Sequence, residues 1–187
     1  MIHNLLPIVG GELNSYLKSR YDVGEDRLVL SNLMNPDGTI AVEDSNKIVC
    51  TLINIQEETT LKAAQGSAYS GGMFASGGAN LHVNLTVMYS AFFSGKNYAE
   101  ALKFLSGVVY FFQSKPVFEP ANTPGLTSNI EKACFDLATL SFDELNAVFS
   151  MLGSKYMPSV IYRVRMLTFS SGNVVDIIPS VGGIGLD

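Results

Sequence analysis

The sequence predicts an α+β domain, with a mixed, mostly antiparallel sheet of four to six strands and helices packed mainly on one face. Three observations predict it. The run ANLHVNLTVMYSAFF from Ala79 alternates strictly, setting Leu81, Val83, Leu85, Val87 and Tyr89 against His82, Asn84, Thr86, Met88 and Ser90. Two helix starts carry capping-box spacing, Asn97 with Glu100 and Ser141 with Glu144. A strand-like run followed by such a helix occurs twice in succession.

Taken in order, Ile2, Leu5, Leu6, Val9, Leu13, Tyr16 and Leu17 recur at helical spacing and predict an amphipathic helix through Arg20. Pro7 and the Gly10–Gly11 pair favour a late start, since proline suits only a first turn. Two strand-like runs follow, RLVLSNLM from Arg27 and NKIVCTLINIQEETTL from Asn46, joined through the turn Asn35-Pro36-Asp37-Gly38. The second run is apolar on both faces, Ile48, Cys50 and Leu52 against Val49, Ile53 and Ile55. That marks a central strand covered on both sides.

From Gly66 to Gly78 the segment GSAYSGGMFASGG reads as a flexible hairpin tip without a phosphate-binding pattern. Its Tyr69, Met73 and Phe74 are out of place in a solvated loop and are expected to touch a partner. The helix opened by Asn97 is expected to bury Tyr98, Ala101, Leu102, Leu105, Val108, Val109 and Phe112, and to end by Lys115 before Pro116. ACFDLATL from Ala133 is the next strand. A helix capped by Ser141, with Leu140 and Leu145 as its hydrophobic staple, then runs to Gly153.

SVIYRVRMLTF from Ser159 is the last long strand. It sets Val160, Tyr162, Val164 and Met166 opposite Ile161, Arg163, Arg165 and Leu167. Two arginines on one face read as a solvated edge, or as partners for acidic groups of a neighbouring subunit. In GNVVDIIPSVGGIGLD, Val174, Val175, Ile177 and Ile178 are too apolar for a disordered tail, while Pro179 and the glycines forbid a helix. This stretch is expected to pair as a strand, either at an edge of its own domain or as an arm along a neighbour's sheet. The chain therefore divides into a body, residues 1–170, and a C-terminal arm, residues 171–187.

Composition narrows the function. Charged residues make up 16% of the 187, against about 25% in an ordinary soluble domain, and hydrophobic residues reach 47%. No apolar run approaches the roughly 18 residues of a membrane span. Something other than charge must cover the surface: either a large sheet buried on both faces or a large subunit interface accounts for it. A net charge of −5 with scattered basic residues argues against nucleic acid. Cys50 and Cys134 read as buried free thiols.

No catalytic centre, cofactor or metal is expected. His3 and His82 have no ligand-spaced neighbours, and neither a GxSxG nor an HExxH is present. The carboxylate pairs Glu25/Asp26, Glu43/Asp44 and Glu57/Glu58 fall at adjacent positions, which on a strand point to opposite faces. The opening MIHNLLPIVGGELNSYL lacks the basic first segment of a signal peptide, so the protein is expected to be made in the cytoplasm.

The block NLHVNLTVMYSAFFSGKNYAEALKFLSGVVYFFQSKPVF, ending at Phe118, resembles the cap, or tail-terminator, family of phage-tail-like contractile injection systems. The opening helix, VCTLINIQEETTLK from Val49, LSFDELNAVFSMLG from Leu140 and YMPSVIYRVRML from Tyr156 agree in order, so the resemblance runs from about Leu5 to Leu167. Phe149 stands where the family pattern carries Trp, and neither the glycine-rich tip nor the C-terminal arm belongs to that pattern. The resemblance implies a structural protein of a bacterial phage-tail-like particle, assembled in the cytoplasm. It further implies a six-membered ring at the baseplate-distal end, seated on inner tube and sheath, that ends polymerisation and ties the two together. Its partners would be further copies of itself, the sheath protein and the tube protein.

Overall fold

The computed structural model describes residues 2–58, 69–70, 73–77, 81–127, 130–169 and 174–179. Among these, α1 spans Ile2–Tyr21, β1 Leu28–Leu30, β2 Lys47–Glu57, β3 Tyr69–Ser70, β4 Met73–Gly77 and β5 Leu81–Phe92. Next come α2 Tyr98–Ser114, β6 Val117–Phe118, β7 Ala133–Ala138, α3 Phe142–Met151, β8 Ser159–Phe169 and β9 Val174–Pro179. The main sheet has six strands in the order β1-β2-β5-β8-β7-β6, and a second, small sheet has the order β3-β4-β9. Among the described residues the β1–β2 pair is parallel and every other pair is antiparallel.

The main sheet has two unlike faces. One is packed against α1 and α2, whose Leu5, Leu13, Leu17, Phe104, Val108 and Phe112 are all buried together with Ile48, Leu85, Val87, Tyr89, Tyr162 and Val164. Its centre is aromatic: Phe112 stacks on Phe135 at 4.7 Å and 15°, and lies 4.5 Å from Tyr162 and 5.3 Å from Tyr89. On the other face, Val49, Met88 and Ile161 are covered by Leu33, Val42 and Phe149, so α3 and the 33–42 segment cap one end of it. Two of the three helices thus share a face, as the alternation of β5 implies.

Several expectations need correction. α1 starts at Ile2 and carries Pro7 inside it. The lost backbone bond is outweighed by burying Leu5, Leu6, Val9, Leu13 and Leu17, each leucine or valine contributing about 1.5–3 kcal/mol. β1 has three residues, not eight; the chain then turns, bridging Met34 to Ile40 around a turn whose Gly38 has φ 82°. β2 is covered on both sides only from Lys47 to Thr51; beyond the bulge at Leu52/Asn54 it is exposed, and Ile55 is 51% exposed. The end of the expected strand, residues 59–61, lies outside the described residues.

On α2 the buried stripe is Ala101, Phe104, Leu105, Val108, Phe111 and Phe112, while Tyr98 and Leu102 are exposed and Val109 is half-buried. The helix is rotated because Phe104 and Phe111 bring more apolar area than the residues they displace. Asn97 forms no cap. A 3₁₀ turn, Gly95–Asn97, holds it at φ −107°, ψ 24°, outside the extended region that capping requires. Its amide donates to Asn46 instead (3.0 Å), and Glu100 faces Arg27 at 3.5 Å. The second capping box does form: Glu144 N–H donates to Ser141 Oγ (3.2 Å) and Ser141 N–H to Glu144 Oε2 (2.8 Å). β8 is an interior strand between β5 and β7, not an edge.

Where α1 crosses α2 the helices touch at Gly107. A Cβ there would lie 2.6 Å from Leu17 Cδ2 and 2.8 Å from Tyr21 Cε2, whose hydroxyl donates to Lys103 O at 2.9 Å. Gly107→Ala therefore loses roughly 1–3 kcal/mol to overpacking, more than the ~1 kcal/mol gained in helix propensity. Urea unfolding checks this; an unchanged or raised midpoint contradicts it. Ser141→Ala, by the same measurement, costs about 1 kcal/mol through the lost cap.

Candidate docking surfaces

The small sheet gathers the partner-contact residues expected from sequence. Tyr69 pairs with Phe74, Phe74 with Ile178, Ala75 with Ile177, Met73 with Pro179 and Gly77 with Val174. Val175 lies on β9 within the same pairing. Of the two arrangements open for the C-terminal strand, the chain adopts pairing within itself: β9 lies antiparallel to β4. What flanks these strands, residues 66–68, 71–72, 78, 170–173 and 180–187, lies outside the described residues.

Arg163 and Arg165 stand on the main sheet face opposite α1 and α2, beyond the reach of α3, and both are exposed. Arg165 Nε donates to Asp136 Oδ2 on the adjacent strand at 2.6 Å, and that carboxylate holds the guanidinium above its usual range. The acidic partner of Arg165 is therefore supplied by its own chain. Arg163 sits between Thr86 and Asp136 in the strand register.

A third surface was not singled out from sequence. α3 turns Leu145, Val148, Phe149 and Leu152 inward. Its Phe142 is 91% exposed and its Met151 65%, with Tyr156 at 66% and Ile40 at 57% nearby on the same side of the sheet. A groove of about 360 Å³ runs between Phe142, Leu145, Phe149 and Tyr156. A second, of about 430 Å³, is lined by Leu33, Met34, Ile40, Phe92 and Met157. Ser154 borders both, so the two grooves adjoin. The sequence carried no signal for it: Phe142 stands three residues before Leu145 and Met151 three after Val148, spacings that read as the buried face of a helix.

The ionisable groups of the core are held neutral by burial. Cys50, opposite Tyr89 in the β2–β5 pair, is pushed up to about 12 by burial, and Tyr162 likewise to about 12. Tyr89 is raised well above its ordinary value by burial. No disulfide links Cys50 and Cys134, and Cys134 is half-buried rather than buried, because it alternates with the buried Ala133 and Phe135 and so lies on the sheet face of Arg165. Among the described residues no three His, Cys, Asp or Glu are grouped to hold a metal ion, and no helix is long and apolar enough to cross a membrane.

These features define a class: a two-sheet α+β domain that keeps large apolar side chains at its surface. The chain belongs to the Pvc16 N-terminal domain family, whose family model matches residues 8–182. Two solved structures share the fold. One is the sheath/tube terminator of the PVC extracellular contractile injection system in its extended state, with TM-score 0.63 and 14% identity, covering 100% of this chain and 62% of that one. The other is the tube-terminating cap of the anti-feeding prophage, with TM-score 0.56 and 14% identity, covering 96% of this chain and 60% of that one. The chain therefore spans about three fifths of the length of each. No curated protein sequence matches it.

The thiol environments give a direct test. At pH 8 a thiol with a pKa of about 12 is ionised to only ~10⁻⁴, and the thiolate is the reactive form. A disulfide reagent should label Cys134 in the native protein and reach Cys50 only through unfolding. Since folding raises the Cys50 pKa above its ordinary 9.0, the stability it contributes is complete below pH 9 and is lost as the pH climbs through about 12. Labelling of Cys50 at the native-state rate of Cys134 would contradict the burial.

Proposed function

We propose that this chain is a tail terminator: a structural cap seated on the baseplate-distal end of the tube and sheath of a contractile injection system. The observation that carries the reading is a strip of exposed apolar residues, Phe142, Tyr156 and Ile40, along two adjoining grooves, on a chain with the fold of two terminators. An exposed strip of that kind marks a surface that another protein covers. Low overall charge fits an extensive interface, since interface cores are depleted in charge.

In this reading copies of the chain close head to tail into a ring of six, because a heterologous contact that closes leaves no growing end. The ring binds the last ring of the tube and of the sheath, stops polymerisation and ties the two together. It is assembled in the bacterial cytoplasm as part of the particle. Residues 1–170 form the seated body and residues 171–187 the arm. Tyr69, Met73 and Phe74, Arg163 and Arg165, and Val174, Val175, Ile177 and Ile178 contact partners. The task is docking and needs no catalytic group; Cys50, Tyr89 and Tyr162 serve packing.

Electron microscopy of particles from cells lacking this protein tests the proposal. Over-long or ragged distal ends are expected. Particles of normal length with sealed ends contradict it, and gold label at the baseplate end would make the chain an adaptor of the same machine instead.

A further inference from the structure

The two outer strands of the main sheet end on side-chain amides rather than on open backbone. At β1, Asn14 of α1 accepts from the N–H groups of Arg27 (3.0 Å) and Leu28 (2.8 Å) and donates to Leu28 O (3.0 Å). Arg27 O and Ser31 N–H face the other way, bonded to Ile48 and Cys50 of β2, so the Leu28 groups are those turned outward. At β6, Asn122 makes the same kind of ring: its amide donates to Val117 O (3.1 Å) and accepts from Glu119 N–H (3.1 Å).

Both amides are tied to one helix. Asn14 belongs to α1. Asn122 is held by Lys115, whose Nζ donates to Asn122 O (2.8 Å) and to Glu12 Oε2 of α1 (2.7 Å). Glu12 and Asn14, two residues apart, leave α1 on opposite sides. The helix therefore stands between the two edges, touching β1 directly and β6 through Lys115 and Asn122.

We propose that α1 is a lock on the main sheet: Asn14 directly, and Asn122 through Lys115 and Glu12, deny both edges to an extended strand of a second copy. An unpaired edge is a template for strand addition, and natural proteins blunt such edges with short strands and covering elements. Here β1 has three residues and β6 two, and each carries an amide on its outward side. The lock concerns this chain by itself and stands whether or not the protein is a terminator.

Asn14→Val opens the β1 edge. The expected result is a variant with native near-ultraviolet circular dichroism that self-associates beyond the parent in sedimentation velocity. Adding Leu30→Lys, which puts a charge on the same edge strand, should reverse the association without restoring thermal stability. Asn14's loss through a merely structural role would lower stability and leave the mass distribution alone. A native Asn14→Val chain that sediments as the parent does overturns the proposal. Hydrogen exchange on the unaltered protein decides the matter even if the variant does not fold. The Leu28 amide should exchange about tenfold or more slowly than that of Leu30, which faces the same edge two residues on. Equal rates overturn it.

Discussion

The position of α1 between the two edges of the main sheet is the constraint on which the rest of the molecule depends. Its Leu5, Val9, Leu13 and Leu17 are fully buried, its Asn14 reaches β1, and its Glu12 reaches Lys115 beside β6. The two polar contacts thus flank the apolar stripe, one on each side of the helix. The close approach explains the sequence of α1: Gly10 lies where a Cβ would meet Leu28 Cδ2 at 3.2 Å, and Pro7 is tolerated because the helix is held from outside itself. Curling the sheet around α1 also encloses Phe112, Phe135, Tyr162 and Tyr89 in one aromatic stack, which draws α2 onto the same face.

Filling one face so completely leaves the other to a short helix and a turn. α3 brings only Phe149 to full burial, and with the 33–42 segment it covers Val49, Met88 and Ile161 but not Arg163 and Arg165 in the middle of β8. The grooves beside Phe142 and Ile40 follow from this partial cover. A phenylalanine left in water forgoes roughly 1.5–3 kcal/mol of burial, a loss that a covering protein would recover. The asymmetry that stabilises the chain is thus also what leaves apolar surface exposed.

The legible parts of the fold were those decided locally. β5 alternates because it lies between a buried face and a half-covered one, and Ser141–Glu144 caps α3 through contacts three residues apart. What escaped the sequence was settled by distant partners. Nothing near Asn97 announces that its amide is drawn to Asn46, and nothing near Pro7 announces the cover over α1. The parallel pairing of β1, and the amides of Asn14 and Asn122, depend on elements brought together by the curl. Among the candidate contacts, glycine-rich and C-terminal strands were recognisable from apolar residues in the wrong setting, but their pairing with each other was not. The Arg165–Asp136 pair was hidden too, because the two residues stand 29 apart in the chain.

The proposed role is docking: tube and sheath, at one end of a particle, would cover surface that this chain leaves apolar. Gold-labelled protein added to purified, capless tube–sheath particles measures that most directly. The account predicts label at the baseplate-distal end alone, with further growth of tube and sheath stopped there; label spread along the sheath, or none, would contradict it.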